Sequence, residues 1–400
     1  MMKFNKFSKK QAEILKFICE DYDMLICDGA VRSGKTVVMI MAFVMWAMAN
    51  FNGENFAVCG KTVTNAEKNV IKPLLNTEGL PYSFEYKRSD RILIVRCGNK
   101  ENCFYVYGGK DESSYMLIQG ITLAGVFFDE VALMPKSFVD QAISRTLTFD
   151  NAKLWFNCNP ESPGHWFYGE YIEKQPPGAK RLHFLMNDNP IMTADKIEKA
   201  ESRFSGVFYD RYVKGLWVAA EGLVYKVFDE KLHVTDKVPE SGMYYISIDY
   251  GTLNPCSMGL WCIADGTAYR VAEYYYDGRK TGRQLTDEEY YKQLERLAGD
   301  KYIQCVVVDP SAASFITTIK RHGRFTVRKA KNDVIAGINR TAVLISGGKV
   351  KIHPSCRAII KEFKSYRYDE KAAKDTVIKE NDHAMDDMRY FCYTILDKMW

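Results

Sequence analysis

Short apolar runs of strand length recur along the first half of the chain. Met24–Cys27, Asn55–Lys61, Ile92–Arg96, Cys103–Tyr107, Gly125–Asp129 and Lys153–Asn157 are rich in β-branched, aromatic or thiol side chains and end in polar residues. Longer segments of helical character separate them. The most apolar of these, Val37–Ala49, has almost no polar face and predicts a helix buried on all sides. Strands alternating with helices predict an α/β domain with a mostly parallel sheet over residues 1–205. Between 206 and 240 the pattern loosens into glycines and aromatics (Gly206, Gly215, Trp217, Gly222) and reads as a connector. A second series fills 241–400. Tyr244–Asp249, Trp261–Ala264 and Tyr269–Tyr276 predict a meander, Cys305–Asp309 another buried strand, and Asp382 onward a helix ending near Lys398.

The joint between the first strand and the buried helix carries chemistry. Gly29-Ala-Val-Arg32-Ser33-Gly34-Lys35-Thr36 fits G-x-x-x-x-G-K-[ST] at every fixed position. Backbone N–H groups of such a loop cradle the phosphates of ATP, the lysine reaches the β- and γ-phosphates, and the threonine hydroxyl ligates Mg²⁺. Gly125–Asp129 followed by Glu130 is an apolar strand ending in two acids. It predicts Asp129 as a holder of the ATP-bound Mg²⁺ and Glu130 as the group that polarises the attacking water. Asn157, ending the next strand, is expected to sense the γ-phosphate; the alternative is that Asn159-Pro160 only begins a turn. Arg32 lies inside the loop and can act as a finger in cis on the transition state, or be a surface arginine. Gln11 sits just ahead of a helical pattern and can read the adenine edge, or lie on a helix surface.

In the second half, Asp249 and Asp309 each close a strand. His383, Asp386 and Asp387 are spaced i, i+3, i+4 on one helix face. Two strand-end acids and an acid/His face suit a pair of Mg²⁺ or Mn²⁺ ions about 3.5–4 Å apart, which clamp the attacking and leaving oxygens of a phosphodiester. Asp387 is alternatively an exposed neighbour of Asp386.

Composition narrows the class. The 400 residues are 47% hydrophobic and 26% charged, as in an ordinary globular protein. The longest apolar run falls short of the roughly 20 residues that span a bilayer. Met1–Lys6 is basic, without the apolar core of a secretion signal. The 11 cysteines include no C-x-x-C pair, which favours free thiols in a reducing compartment over a zinc site. Charges balance in 1–240, so the net +5 arises in 241–400. There Lys320, Arg321, Arg324, Arg328, Lys329 and Lys331 crowd a stretch with no acid. Such a run neutralises DNA phosphates or forms a solvated surface.

Taken in order, the loop Gly29–Thr36, Asp129-Glu130, Asn157-Cys-Asn-Pro160, Pro163-Gly-His-Trp166 and Asp188-Asn-Pro190 resemble the large terminase subunits of tailed bacteriophages. Tyr212-Val-Lys-Gly-Leu-Trp217, Glu221-Gly222, Ile248-Asp-Tyr-Gly251 and His383-Ala-Met-Asp386 extend the resemblance over nearly the whole chain. It implies an additional-strand, catalytic-glutamate P-loop ATPase followed by a ribonuclease H-like nuclease. It further implies ATP-driven translocation of double-stranded DNA into a prohead and cutting of concatemeric DNA. The implied partners are a small terminase subunit and the portal, on which the chain forms a homo-oligomeric ring while being a monomer when isolated. The implied location is the cytoplasm of an infected or lysogenic bacterium, with no secretion and no membrane. Carried over by position, Lys35, Thr36, Asp129 and Glu130 become the ATPase centre, Asn157 falls in the coupling motif, and Asp249, Asp309, His383 and Asp386 become metal ligands. Gln119-Gly120 departs from the Arg-Gly of many relatives, which leaves the finger to Arg32 or to another residue such as Arg145. A helicase-like or recombination ATPase with a purely DNA-binding second half is the rival reading. It needs no conjunction of Asp249, Asp309 and Asp386. A nucleotide-regulated scaffold is a second rival, and it needs no hydrolytic Glu130.

Overall fold

A computed structural model describes residues 7–252, 254–369, 372 and 375–400. Met1–Lys6, for which no secretion signal is expected, lies outside the described residues. The chain divides into two compact units: residues up to Glu201 with Val207–Ala219, and Ser202–Gly206 with Ala220–Trp400. The expected connector 206–240 therefore does not stand apart. In its first half the Tyr212 carbonyl accepts from Val31 N–H at 2.9 Å, within the first unit. In its second half Val224 N–H donates to Tyr366 and Thr235 N–H to Ile352, both at 2.9 Å, within the second.

The first unit is built on eight strands: β1 (Met24–Gly29), β2 (Asn55–Gly60), β3 (Ser83–Lys87), β4 (Ile92–Cys97), β5 (Lys100–Gly108), β6 (Gly125–Asp129), β7 (Lys153–Asn157) and β8 (Ala179–Phe184). Their order is β3-β4-β5-β2-β6-β7-β1-β8. The β3-β4-β5 edge is antiparallel and every other pairing is parallel. β7 lies between β1 and β6, so the phosphate loop and the Asp129-Glu130 pair are one strand apart. The apolar helix runs Lys35–Asn50 and is buried along most of its length. Its Phe43 and Trp46 pack against Phe56, Phe104, Phe127 and Trp155 from four strands, in mostly edge-to-face contacts. A Cβ at Gly125 would lie 2.7 Å from the Trp46 ring, so β6 begins on glycine.

The second unit carries six strands: β9 (Met243–Asp249), β10 (Cys256–Ala264), β11 (Thr267–Tyr276), β12 (Ile303–Val308), β13 (Val327–Lys329) and β14 (Val350–Ile352). Their order is β13-β12-β9-β10-β11-β14. β9, β10 and β11 form the expected antiparallel meander, with a tight turn at Asp265-Gly266, both at positive φ. β12 pairs parallel to β9, and β13 parallel to β12. The helix His383–Thr394 packs across β9 and β10. Mixed sheet and carboxy-terminal helix together form the expected ribonuclease H-like unit.

Candidate functional site

In the first unit the carboxyl ends of β1, β6 and β7 face the start of helix Lys35–Asn50. The intervening loop passes through left-handed backbone at Arg32 (φ 59°) and Gly34 (φ 81°). This curls successive N–H groups into an anion-binding nest. The Lys35 ammonium is buried and folded back on the loop. It donates to the carbonyls of Gly29 and Ala30 at 3.1 and 2.8 Å and to Ser33 Oγ at 3.2 Å. Burial lowers its pKa, with Glu130 opposing.

Thr36, Asp129 and Asn157 form one cluster. Asn157 Nδ2 donates to Asp129 Oδ1 at 2.7 Å and to Thr36 Oγ1 at 2.8 Å. The Thr36 hydroxyl lies 3.4 Å from Asp129 Oδ1. Burial raises the Asp129 pKa against the hydrogen bond from Asn157. Asn157 Oδ1 is buried without a hydrogen-bond partner among the described residues. A hydroxyl, a carboxylate and an orphaned carbonyl oxygen suit a hard cation such as Mg²⁺. Glu130, at φ 59°, turns out of β6 in a backbone region uncommon for a residue with a Cβ. Burial first, then Asp129, pushes its pKa up to about 7. Its partner is Asn159, whose Nδ2 reaches the two carboxylate oxygens at 2.9 and 3.0 Å while Oδ1 accepts from Lys35 Nζ at 3.3 Å. Sequence reasoning assigns sensing to Asn157 alone. The two-residue spacing of Asn157 and Asn159 is the signal for a second amide on the same side.

Gln11 is buried, not on a helix surface. It completes a capping box with Ser8, and its amide crowds Gly34, where a Cβ would lie 2.7 Å from Nε2. Asn189, which sequence reasoning places only within a motif, donates to the Arg32 carbonyl at 2.8 Å. The Arg32 side chain is exposed. Beneath the loop, fully buried Asp28 accepts from Arg181 through both oxygens at 2.9 Å and from Trp217 Nε1 at 2.9 Å, with His183 Nδ1 at 3.2 Å. Burial favours its protonated form, but the His183 and Arg181 hydrogen bonds prevail and hold its pKa below the ordinary value.

In the second unit Asp249 ends β9, Asp309 follows β12, and His383 and Asp386 come from the first turn of the carboxy-terminal helix. His383 Nδ1 lies 2.8 Å from Asp249 Oδ2. Burial lifts the Asp249 pKa to about 6, the His383 bond opposing and Asp386 adding to it. Burial lowers the His383 pKa, but Asp249 outweighs it and leaves it raised. Asp386 accepts from Arg389 at 2.9 and 3.1 Å and from Lys379 at 3.1 Å. Asp309 accepts from Ser311 N–H at 2.6 Å and from the Tyr390 hydroxyl at 2.5 Å. Those bonds overcome burial and depress its pKa. Among the described residues, no three His, Cys, Asp or Glu side chains stand in a metal-holding group as arranged. The acids are instead paired with Lys379, Arg389, His383 and Tyr390. The donors are oxygens and an imidazole, and mutual repulsion between Asp249 and Asp386 is what a divalent cation relieves, so the set fits Mg²⁺ or Mn²⁺ once Lys379 is displaced.

Asp387 does not join this set. It is fully buried, not exposed, and faces the sheet. Arg270 donates to it at 2.5 and 3.0 Å, Ser247 at 2.8 Å, and Ser257 also bonds to it. Helical spacing puts Asp387 beside His383, but the buried guanidinium on β11 claims it. Glu362 is a further unforeseen buried acid. It accepts from the backbone N–H groups of Ala384 and Met385 at 2.7 and 3.1 Å and so caps the helix that carries His383.

The basic segment is divided. Arg321 pairs with Glu288, Arg324 with Glu295 at 3.5 Å and Lys331 with Asp397 at 2.8 Å. Lys320, Arg328 and Lys329 are exposed. β13 places Arg328 opposite Val307 and Lys329 opposite Val308, at the end of β12 from which Asp309 emerges.

Residues 26–232 match the family described as terminase large subunit, T4likevirus-type, N-terminal, and residues 247–393 match the terminase RNaseH-like domain. The large terminase subunit of Escherichia phage T5 is 26% identical over 296 residues, covering 68% of this chain and 65% of that protein. The chain thus spans just under two thirds of that relative's length. A structure of the large terminase from a thermophilic bacteriophage is 46% identical, with a TM-score of 0.88, over 98% of this chain and 100% of that one. A structure of the same thermophilic phage protein in complex with ATP-gamma-S is 45% identical, with a TM-score of 0.85 and the same coverage.

Proposed function

The chain belongs to the terminase large-subunit family, and from that premise we propose that it is a DNA-packaging motor and nuclease. ATP hydrolysis in its first unit drives double-stranded DNA into a prohead, and a metal-dependent endonuclease in its second unit cuts the concatemer. The observation that carries this reading is the presence of two acid centres on one chain, each at the carboxyl ends of sheet strands. Glu130 stands beside Lys35, Thr36 and Asp129; Asp249 stands beside His383 and Asp386.

In the ATPase centre Lys35 exchanges its loop carbonyls for the β- and γ-phosphates. Thr36 and Asp129 would hold Mg²⁺, which would offset phosphate charge. Glu130, its pKa near 7, accepts the proton of the attacking water. Arg32 reaches the γ-phosphate in cis and Gln11 the adenine edge. In the nuclease centre Asp249, Asp309, His383 and Asp386 would hold a pair of Mg²⁺ or Mn²⁺ ions. Such ions lower the pKa of the attacking water and stabilise the leaving oxygen. The protein's own part would be to supply these four ligands from the ends of two strands and the first turn of a helix.

A small terminase subunit and the portal are the proposed partners, with the chain acting as a ring on the portal in the host cytoplasm. The deciding experiment is plasmid cleavage with Mn²⁺ or Mg²⁺ beside ATP turnover. Asp249→Asn abolishes cutting and spares ATPase activity, whereas Glu130→Ala does the reverse. Cutting by Asp249→Asn at the wild-type rate would refute the nuclease, leaving a DNA-dependent ATPase.

A further inference from the structure

We propose that Tyr390 is a positioning residue of the nuclease centre, fixing the Asp309 carboxylate for metal binding. This rests on the reading of that centre as a two-metal nuclease. The helix that supplies Asp386 returns to the site one turn later, at i+4, with a phenol directed at an acid from a different element. Tyr390 is only 3% exposed, and its hydroxyl donates to Asp309 Oδ2 at 2.5 Å. Ser311 N–H donates to the other oxygen, Oδ1, at 2.6 Å. With one donor on each oxygen the carboxylate cannot rotate, yet each oxygen keeps acceptor capacity for a cation.

The tyrosine is itself held in place. The Arg389 guanidinium lies 4.7 Å from the centre of its ring while also donating to Asp386. Arg389 further donates to the Asn332 carbonyl at 3.2 Å, and a Cβ at Gly337 would sit 2.7 Å from the arginine stem. One helical turn therefore orients two acids at once, Asp386 through Arg389 and Asp309 through Tyr390. Groups that orient metal ligands in this way typically carry about 10–100-fold in metal affinity or activity.

The test compares wild type, Tyr390→Phe and Asp309→Asn as full chains. Mn²⁺ binding is measured by electron paramagnetic resonance without DNA, and plasmid cleavage is followed in parallel. Phenylalanine keeps the ring under Arg389 and removes only the hydroxyl. Expected are Mn²⁺ binding and cleavage in Tyr390→Phe each reduced by about 10-fold or more, and a larger loss in Asp309→Asn. Wild-type binding and cutting by Tyr390→Phe, with both lost in Asp309→Asn, would overturn the role of Tyr390 and leave the nuclease intact. Wild-type binding and cutting by Asp309→Asn would instead overturn the metal site on which the proposal stands.

Discussion

Asn159 donates its amide to both carboxylate oxygens of Glu130, at 2.9 and 3.0 Å, while its carbonyl accepts from Lys35. One side chain thus joins the loop lysine proposed to meet the phosphates to the acid proposed to act on water. Asn159→Ala leaves Glu130 without a partner that sets its direction. The expected outcome is a fall in kcat of about 10-fold or more, within the range of general-base contributions, with little change in KM for ATP. Steady-state ATPase assays separate the two. A raised KM at unchanged kcat would place Asn159 in binding and not in orientation.

The role proposed for Glu130 gives the hydrolytic step a definite pH dependence. It must be ionised to take a proton, and its pKa stands near 7 because burial and Asp129 disfavour the charge. The ATPase rate should rise with pH through about 7. The stability effect has the opposite sign. A carboxyl whose folded pKa is raised favours the fold below its unfolded pKa, near 4.3, and loses that contribution as pH climbs through 7. Glu130→Gln, which stays neutral, should unfold at a higher temperature than wild type at pH 8, with the gap closing toward pH 5. Thermal melts at the two pH values decide it.

Much of the first unit was legible because its strands are buried on both faces and read as apolar runs ending at acids or amides. β8 was not. Its Lys180, Arg181 and His183 spoil any apolar pattern, yet each is engaged by an acid, Glu20 for the first and Asp28 for the other two. The beginning of β10 escaped for a different reason: Ser257 and Gly259 are small because Asp387 and Arg270 fill the space above them. Periodicity could place Asp249, His383 and Asp386 on converging elements. It could not show that Tyr390 bonds to Asp309 or that Asn159 bonds to Glu130, because those pairings depend on how separate elements pack.

The Asp387–Arg270 pair separates a structural acid from the proposed metal ligand Asp386. Both side chains are fully buried and bonded to each other at 2.5 and 3.0 Å. Asp387→Asn removes the nearer carboxylate from a buried guanidinium and leaves it Glu273 at 3.4 Å; it should cost about 3 kcal/mol of unfolding free energy, measured by urea titration. Asp386→Asn leaves Arg389 its bonds to the Asn332 and Asp333 carbonyls and should cost less stability while removing cleavage. Loss of cutting in Asp387→Asn at unchanged stability would return Asp387 to the metal site.

The six cations of the basic segment should not contribute equally to DNA binding. Counterion release requires a charge free to meet a phosphate. Arg321 and Arg324 are already engaged by Glu288 and Glu295, so replacing them removes a charge that is partly neutralised. Arg328 and Lys329 are exposed on β13, in register with the last residues of β12 before Asp309. A duplex lying against that edge would present its phosphates to both as it approaches the acids. Arg328→Glu and Lys329→Glu should weaken DNA binding and make the logarithmic salt slope shallower by about 1 per residue. Arg321→Gln and Arg324→Gln should shift it by less. Fluorescence anisotropy of a labelled duplex across a salt series measures the slopes. Equal slopes for all four variants would remove β13 from the DNA path, whatever their effect on cleavage.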